Sequence, residues 1–169
     1  MWGRVRYRLW QVWAGWRDRV TAADREEVRR WLPPAAYALW LRQSPRDQAH
    51  ALRVLRLLRT VSEDPVLLRA ALLHDVGKAQ ARLRVWHRAL WVLLERFPPL
   101  RRRLVAARGW RRPFWVLAEH PRLGAEWAEA AGCAREVCWL IAHHQDETPT
   151  GPPEDMERLR LLRWADKRS

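Results

Sequence analysis

Apolar residues recur three and four positions apart along almost the whole chain, and no stretch alternates apolar with polar for more than a few positions. The pattern predicts an all-α fold. A first amphipathic segment gathers Trp2, Val5, Leu9, Val12, Trp13 and Trp16 on one side, with Arg4, Arg8, Arg17 and Arg19 largely elsewhere. A second runs from about Asp24 to Leu32, where Pro33-Pro34 stops it. Together they define a basic, amphipathic N-terminal helical extension over residues 1–43, followed by a helical domain over residues 44–169.

Within that domain Ser44 before Pro45 is a helix start, with serine as N-cap and proline at the first helical position, and Asp64-Pro65 repeats the signal. The helix from Pro65 carries Val66, Ala70 and Leu73 and ends at His74-Asp75, where Gly77 is expected to terminate it in a left-handed cap. Residues 83–97 are amphipathic and residues 101–112 strongly basic. Pro113 opens a helix reaching His120, Pro121 is expected to break it, and another runs from about Leu123 to Gly132. The next helix holds Val137, Leu140 and Ile141 before His143-His144, and the run TPTGPP separates it from a last helix ending in Asp166.

Charge and cysteine content narrow the setting. The net charge of +13 comes almost wholly from arginine, since Lys78 and Lys167 are the only lysines, and it suits an anionic partner: a nucleotide, a nucleic acid or an acidic membrane surface. Arginine interrupts every apolar run near the N-terminus, so no signal peptide or membrane-spanning stretch is expected. Cys133 and Cys138 lack metal-ligand spacing and are too few for a disulfide framework. A cytoplasmic protein, at most peripheral to a membrane, is the expectation. The tryptophans recur at helical spacing and read mainly as core, and His87 falls on an apolar helix face and reads as structural.

The remaining histidines carry chemistry. Zinc, manganese and iron are held by neutral imidazole nitrogen and carboxylate oxygen, and two-metal hydrolytic sites need such ligands around ions about 4 Å apart. His50, the pair His74-Asp75, His120, the pair His143-His144 and Asp166 fall near the ends or inner faces of five expected helices, so a bundle could bring them to one point.

The order His50, ALLHDVGK at 71–78, EHPRLGAE at 119–126, IAHHQDE at 141–147 and LRWAD at 162–166 resembles the HD superfamily, over roughly residues 44–169. The resemblance implies an HD-domain helical bundle and a metal-dependent phosphohydrolase. It implies one metal at the minimal set His50, His74, Asp75 and Asp166. The further positions His120, His143 and His144 resemble the expanded set of cyclic-dinucleotide phosphodiesterases and imply two divalent transition-metal ions. Asp75 is the natural bridging ligand, because a carboxylate offers two oxygens. Lys78 resembles the family lysine that neutralises phosphate charge in the transition state. Some relatives carry an acidic residue near the position of Asp47. The run Gln145, Asp146, Glu147 and then TPTGPP departs from the Gly-Tyr-Pro branch, which argues against cyclic di-GMP as substrate. The expected substrate is a nucleotide-like phosphoester or phosphoanhydride. The alternative is an idle HD domain that binds a nucleotide as a signalling module. The basic residues between 101 and 112 could guide a polyanion, rest on acidic lipid or simply form a solvated face.

Overall fold

A computed structural model describes residues 20–169; the first amphipathic segment lies outside the described residues. Nine α-helices and three short 3-10 turns make up the described part, with no strand among them. We number them α1 (Ala22–Trp31), α2 (Pro34–Arg42), α3 (Pro45–Leu58), α4 (Pro65–Leu73), α5 (Val85–Leu93), α6 (Pro98–Leu104), α7 (Arg112–Ala130), α8 (Arg135–His143) and α9 (Pro153–Asp166). The all-α class stands.

Local sequence accounts for most helix starts. Proline occupies the first turn of α2, α3, α4, α6, α7 and α9, where its missing N–H has no intrahelical partner to lose. The Ser44 hydroxyl accepts from the Asp47 N–H (3.3 Å), and the Asp64 carboxylate accepts from the Val66 N–H (2.8 Å). α1 begins two residues before the sequence reading placed it, because Thr21 and Asp24 form a reciprocal capping box: Asp24 N–H donates to Thr21 Oγ1 (3.1 Å) and Thr21 N–H to Asp24 Oδ2 (2.7 Å).

The apolar stripes of α3, α4, α8 and α9 meet in one core, with Leu55, Leu58, Leu68, Leu72, Leu140 and Leu162 fully buried. Val28 of α1 and Trp40 of α2 belong to the same core, so residues 22–42 pack onto the domain that follows. Arg56 of α3 also reaches back to Asp24 (2.5 Å) and Glu27 (2.7 Å) of α1.

Two backbone expectations need correction. Gly77 does not take a left-handed conformation; only Gly109 and Gly132 have positive φ among the described residues. It lies in the 3-10 turn Val76–Gln80, and glycine is required there by space: a Cβ would overlap the His120 carbonyl oxygen and sit 2.8 Å from the Gly124 nitrogen on α7. Pro121 does not break its helix either. α7 runs through it to Ala130, and the Leu117 carbonyl, which loses its backbone donor to proline, accepts the His120 imidazole Nδ1–H at 3.0 Å.

Candidate metal centre

Helix architecture sets the histidine tautomers. α4 stops at Leu73, so the Ala71 carbonyl is free to accept from His74 Nδ1 (2.9 Å). α8 stops at His143, and the Ile141 carbonyl takes His144 Nδ1 (2.8 Å) in the same way. Proline frees the Leu117 carbonyl for His120. A carbonyl oxygen can only accept, so each ring carries a proton on Nδ1, and whenever the ring is neutral its Nε2 lone pair faces inward.

Those three Nε2 atoms are buried and have no hydrogen-bond partner. Buried polar atoms are ordinarily paired, and three unpaired Nε2 atoms in one place fit a bound cation. Around them the carboxylates divide the space. Asp75 Oδ2 is 3.6 Å from His74 Nε2, while its Oδ1 is 3.3 Å from His120 Nε2 and 3.8 Å from His144 Nε2. Asp166 Oδ1 at the end of α9 is 2.9 Å from His50 Nε2 and 3.6 Å from His74 Nε2. Two groups with metal-binding spacing result, His50–His74–Asp75 and Asp75–His120–His144, and Asp75 belongs to both. These residues fit a pair of divalent ions.

The electrostatics favour a cation. Burial alone would raise the Asp75 carboxyl, but Lys78, His74 and His120 hold it well below its ordinary range, so it stays ionised. Asp166 is likewise held down, against burial, by His50 and His74. Burial pushes His144 down to about 3, helped by the His120 and His74 rings, and it also lowers His120, so both are neutral donors at physiological pH. In His74 burial is outweighed by Asp75 and Asp166, which raise it to about 9. A metal ion entering beside His74 would therefore displace a proton.

Six of the seven expected ligands converge; His143 stands apart. Its Nδ1 donates to Asp146 Oδ2 at 2.5 Å and its ring lies against Trp139, with 4.6 Å between centroids. As the residue before His144 at a helix end, it points a different way round the axis. Lys78 is largely buried, not on the solvated surface, with Nζ 2.6 Å from Asp75 Oδ2. Asp47, one turn before His50, is taken up elsewhere: Arg88 of α5 grips both its oxygens (2.8 and 2.7 Å), and Ser44 Oγ donates to Oδ2 (2.6 Å). Burial would raise the Asp47 carboxyl, but Arg88 holds it down. His87 is structural, its Nδ1 accepting the Arg84 N–H (2.9 Å) at the start of α5.

The sequence reading missed Arg163. From α9 it donates to the His144 carbonyl (2.9 Å), the His143 carbonyl (2.6 Å) and the Asp146 carbonyl, satisfying the end of α8 that carries His144. Its signal was the position three residues before Asp166, which puts it on the same side of α9.

The HD domain family model matches residues 48–169, a span that contains all six converging residues. No curated protein and no solved structure matches the chain significantly. By motif order and by the reach of the match, the chain belongs to the HD domain family, whose members are in general metal-dependent phosphohydrolases.

Proposed function

We propose that the chain is a two-metal phosphohydrolase acting on a nucleotide-like phosphoester or phosphoanhydride. The observation that carries this reading is the trio of orphaned, buried Nε2 atoms arranged about the two oxygens of Asp75. His50, His74, Asp75 and Asp166 would hold one ion, and Asp75, His120 and His144 the other. Divalent ions of the manganese, iron or zinc kind supply Lewis acidity and make water a nucleophile near neutral pH. The protein's own part is to keep His120 and His144 neutral, to keep both carboxylates ionised, and to hold the rings in one tautomer. Lys78, beside Asp75, offsets phosphoryl charge as it builds up, so no covalent nucleophile from the chain is needed. Protein purified with manganese or iron should carry about two ions per chain and hydrolyse a member of a phosphoester panel. One ion or none under those conditions would refute the two-metal reading, and bound nucleotide without turnover would make the chain a binding module.

Lys78→Met separates substrate from metal. The variant keeps most of the side-chain length and removes the charge. Because the ammonium now grips Asp75 Oδ2, its loss frees that oxygen, and metal binding should be no weaker. Turnover should fall by about 10²-fold or more. Unchanged kcat on the best substrate would remove Lys78 from the reaction; loss of metal would assign it to holding the turn.

Pro121→Ala tests the tautomer device. Alanine restores an N–H that competes with His120 Nδ1 for the Leu117 carbonyl. The helical signal should be unchanged, while metal affinity, measured against a chelator, should drop about tenfold or more. Unaltered affinity would mean that packing alone orients His120.

A further inference from the structure

Seven of the nine large apolar side chains exposed among the described residues fall within residues 85–110, including Leu93 at 64%, Phe97 at 58% and Trp110 at 69% exposure. The same part of the chain is the most basic: residues 84–112 contain nine arginines and a single acidic residue, Glu95. Isolated exposed apolar residues are normal, but a concentration of them marks a contact surface.

The geometry shows an arm held at both ends. Trp86 and His87 at the start of α5 and Trp110 before α7 all contact the buried Phe114 ring, with centroids 6.0, 5.5 and 6.4 Å away. Between these anchors α6 buries none of its residues and packs mainly on the turn Leu94–Arg96. Arg101 lies over the Trp91 ring at 3.8 Å, which places a cation flat against the aromatic surface. No helix among the described residues is long and apolar enough to cross a membrane, so contact would be with its surface.

We propose that residues 84–112 form a docking surface for an acidic lipid membrane. Arginines attract the anionic headgroups, and Leu93, Phe97 and Leu100 enter the boundary between headgroup and acyl chain. A nucleic acid would satisfy the arginines and could stack on Phe97, but would leave the aliphatic Leu93 and Leu100 without an apolar partner. A second copy of the chain would bring the same positive excess against it, eight arginines to one glutamate once Arg88 is set aside with Asp47, on a molecule of net charge +13. The lipid surface alone matches both halves of the patch.

The test is sedimentation of the full chain with vesicles of phosphatidylcholine alone, or of phosphatidylcholine with about a third phosphatidylglycerol. The chain should sediment with the acidic vesicles only, and added salt should release it. In the variant Arg102→Gln/Arg103→Gln/Arg108→Gln partitioning should fall roughly a hundredfold. The variant Phe97→Ser/Leu100→Ser retains every charge and should lose about tenfold or more. The substituted side chains are all exposed, so thermal unfolding and metal content should match the parent chain. Equal binding to both vesicle types, no binding, or binding unchanged in both variants would overturn the proposal. So would tight oligonucleotide binding indifferent to Phe97→Ser/Leu100→Ser, which would assign the patch to nucleic acid, or a dimer abolished by that variant, which would assign it to self-association.

Discussion

Replacing His74 and Asp75 together by alanine should reduce the metal content from about two ions per chain to a trace and abolish hydrolysis. Asp75 has one oxygen on each side of the cluster, and His74 faces both Asp75 and Asp166, so the pair serves both proposed ions. The fold should survive. His74 is the cap residue after the last helical position of α4 and Asp75 lies before the next turn, so neither closes a core layer. Neighbouring Leu72 and Leu73 keep their burial. The far-UV helical signal should match the parent chain, and elemental analysis should read the loss directly. Full metal retained in the double variant would sink the assignment of the cluster; loss of helicity would show that the turn, not the ligands, had been removed. Mutation of His143 should leave the metal content unchanged, since that ring lies with Asp146 and Trp139 away from the cluster.

The sequence made the helix starts legible, because a cap followed by proline is a local device: Ser44-Pro45 and Asp64-Pro65 need nothing distant to act. The His-Asp pair was also placed correctly at a helix end, but on the wrong ground, since Gly77 forms no left-handed cap. What could not be read locally was anything that depends on another element. Asp47 looks like a spare carboxylate beside His50 until Arg88, forty-one residues on, takes both its oxygens. Pro121 carries the local signature of a break, yet the buried packing of α7 against α8 and the turn at Gly77 sustains one helix through it. Adjacent residues on a helix point about a quarter turn apart, so His143 and His144 do not face one point equally, although the sequence reading took both as ligands. Motif order offered both; geometry gives only His144 to the cluster.

Gly77→Ala should be the most damaging single-atom change away from the ligands. The added Cβ would overlap the His120 carbonyl oxygen and approach the Gly124 nitrogen to 2.8 Å and the His120 carbonyl carbon to 2.9 Å. All three are backbone atoms of α7, so no side chain can rotate aside and the turn must part from the helix. Overpacking of this kind costs about 3 kcal/mol or more. In a chain of this length that lowers Tm by about 6–12 °C. The strain also falls on the site, because moving the His120 backbone draws its Nε2 away from Asp75 Oδ1, now 3.3 Å distant. Metal affinity should therefore fall together with stability. Gly132→Ala provides the contrast: its φ of 75° disfavours a side chain, but a Cβ there meets nothing within 4 Å. That variant should lose only about 1 kcal/mol and keep its metal. If Gly77→Ala melts no lower than Gly132→Ala, the close approach between the turn and α7 is not what glycine provides at this position.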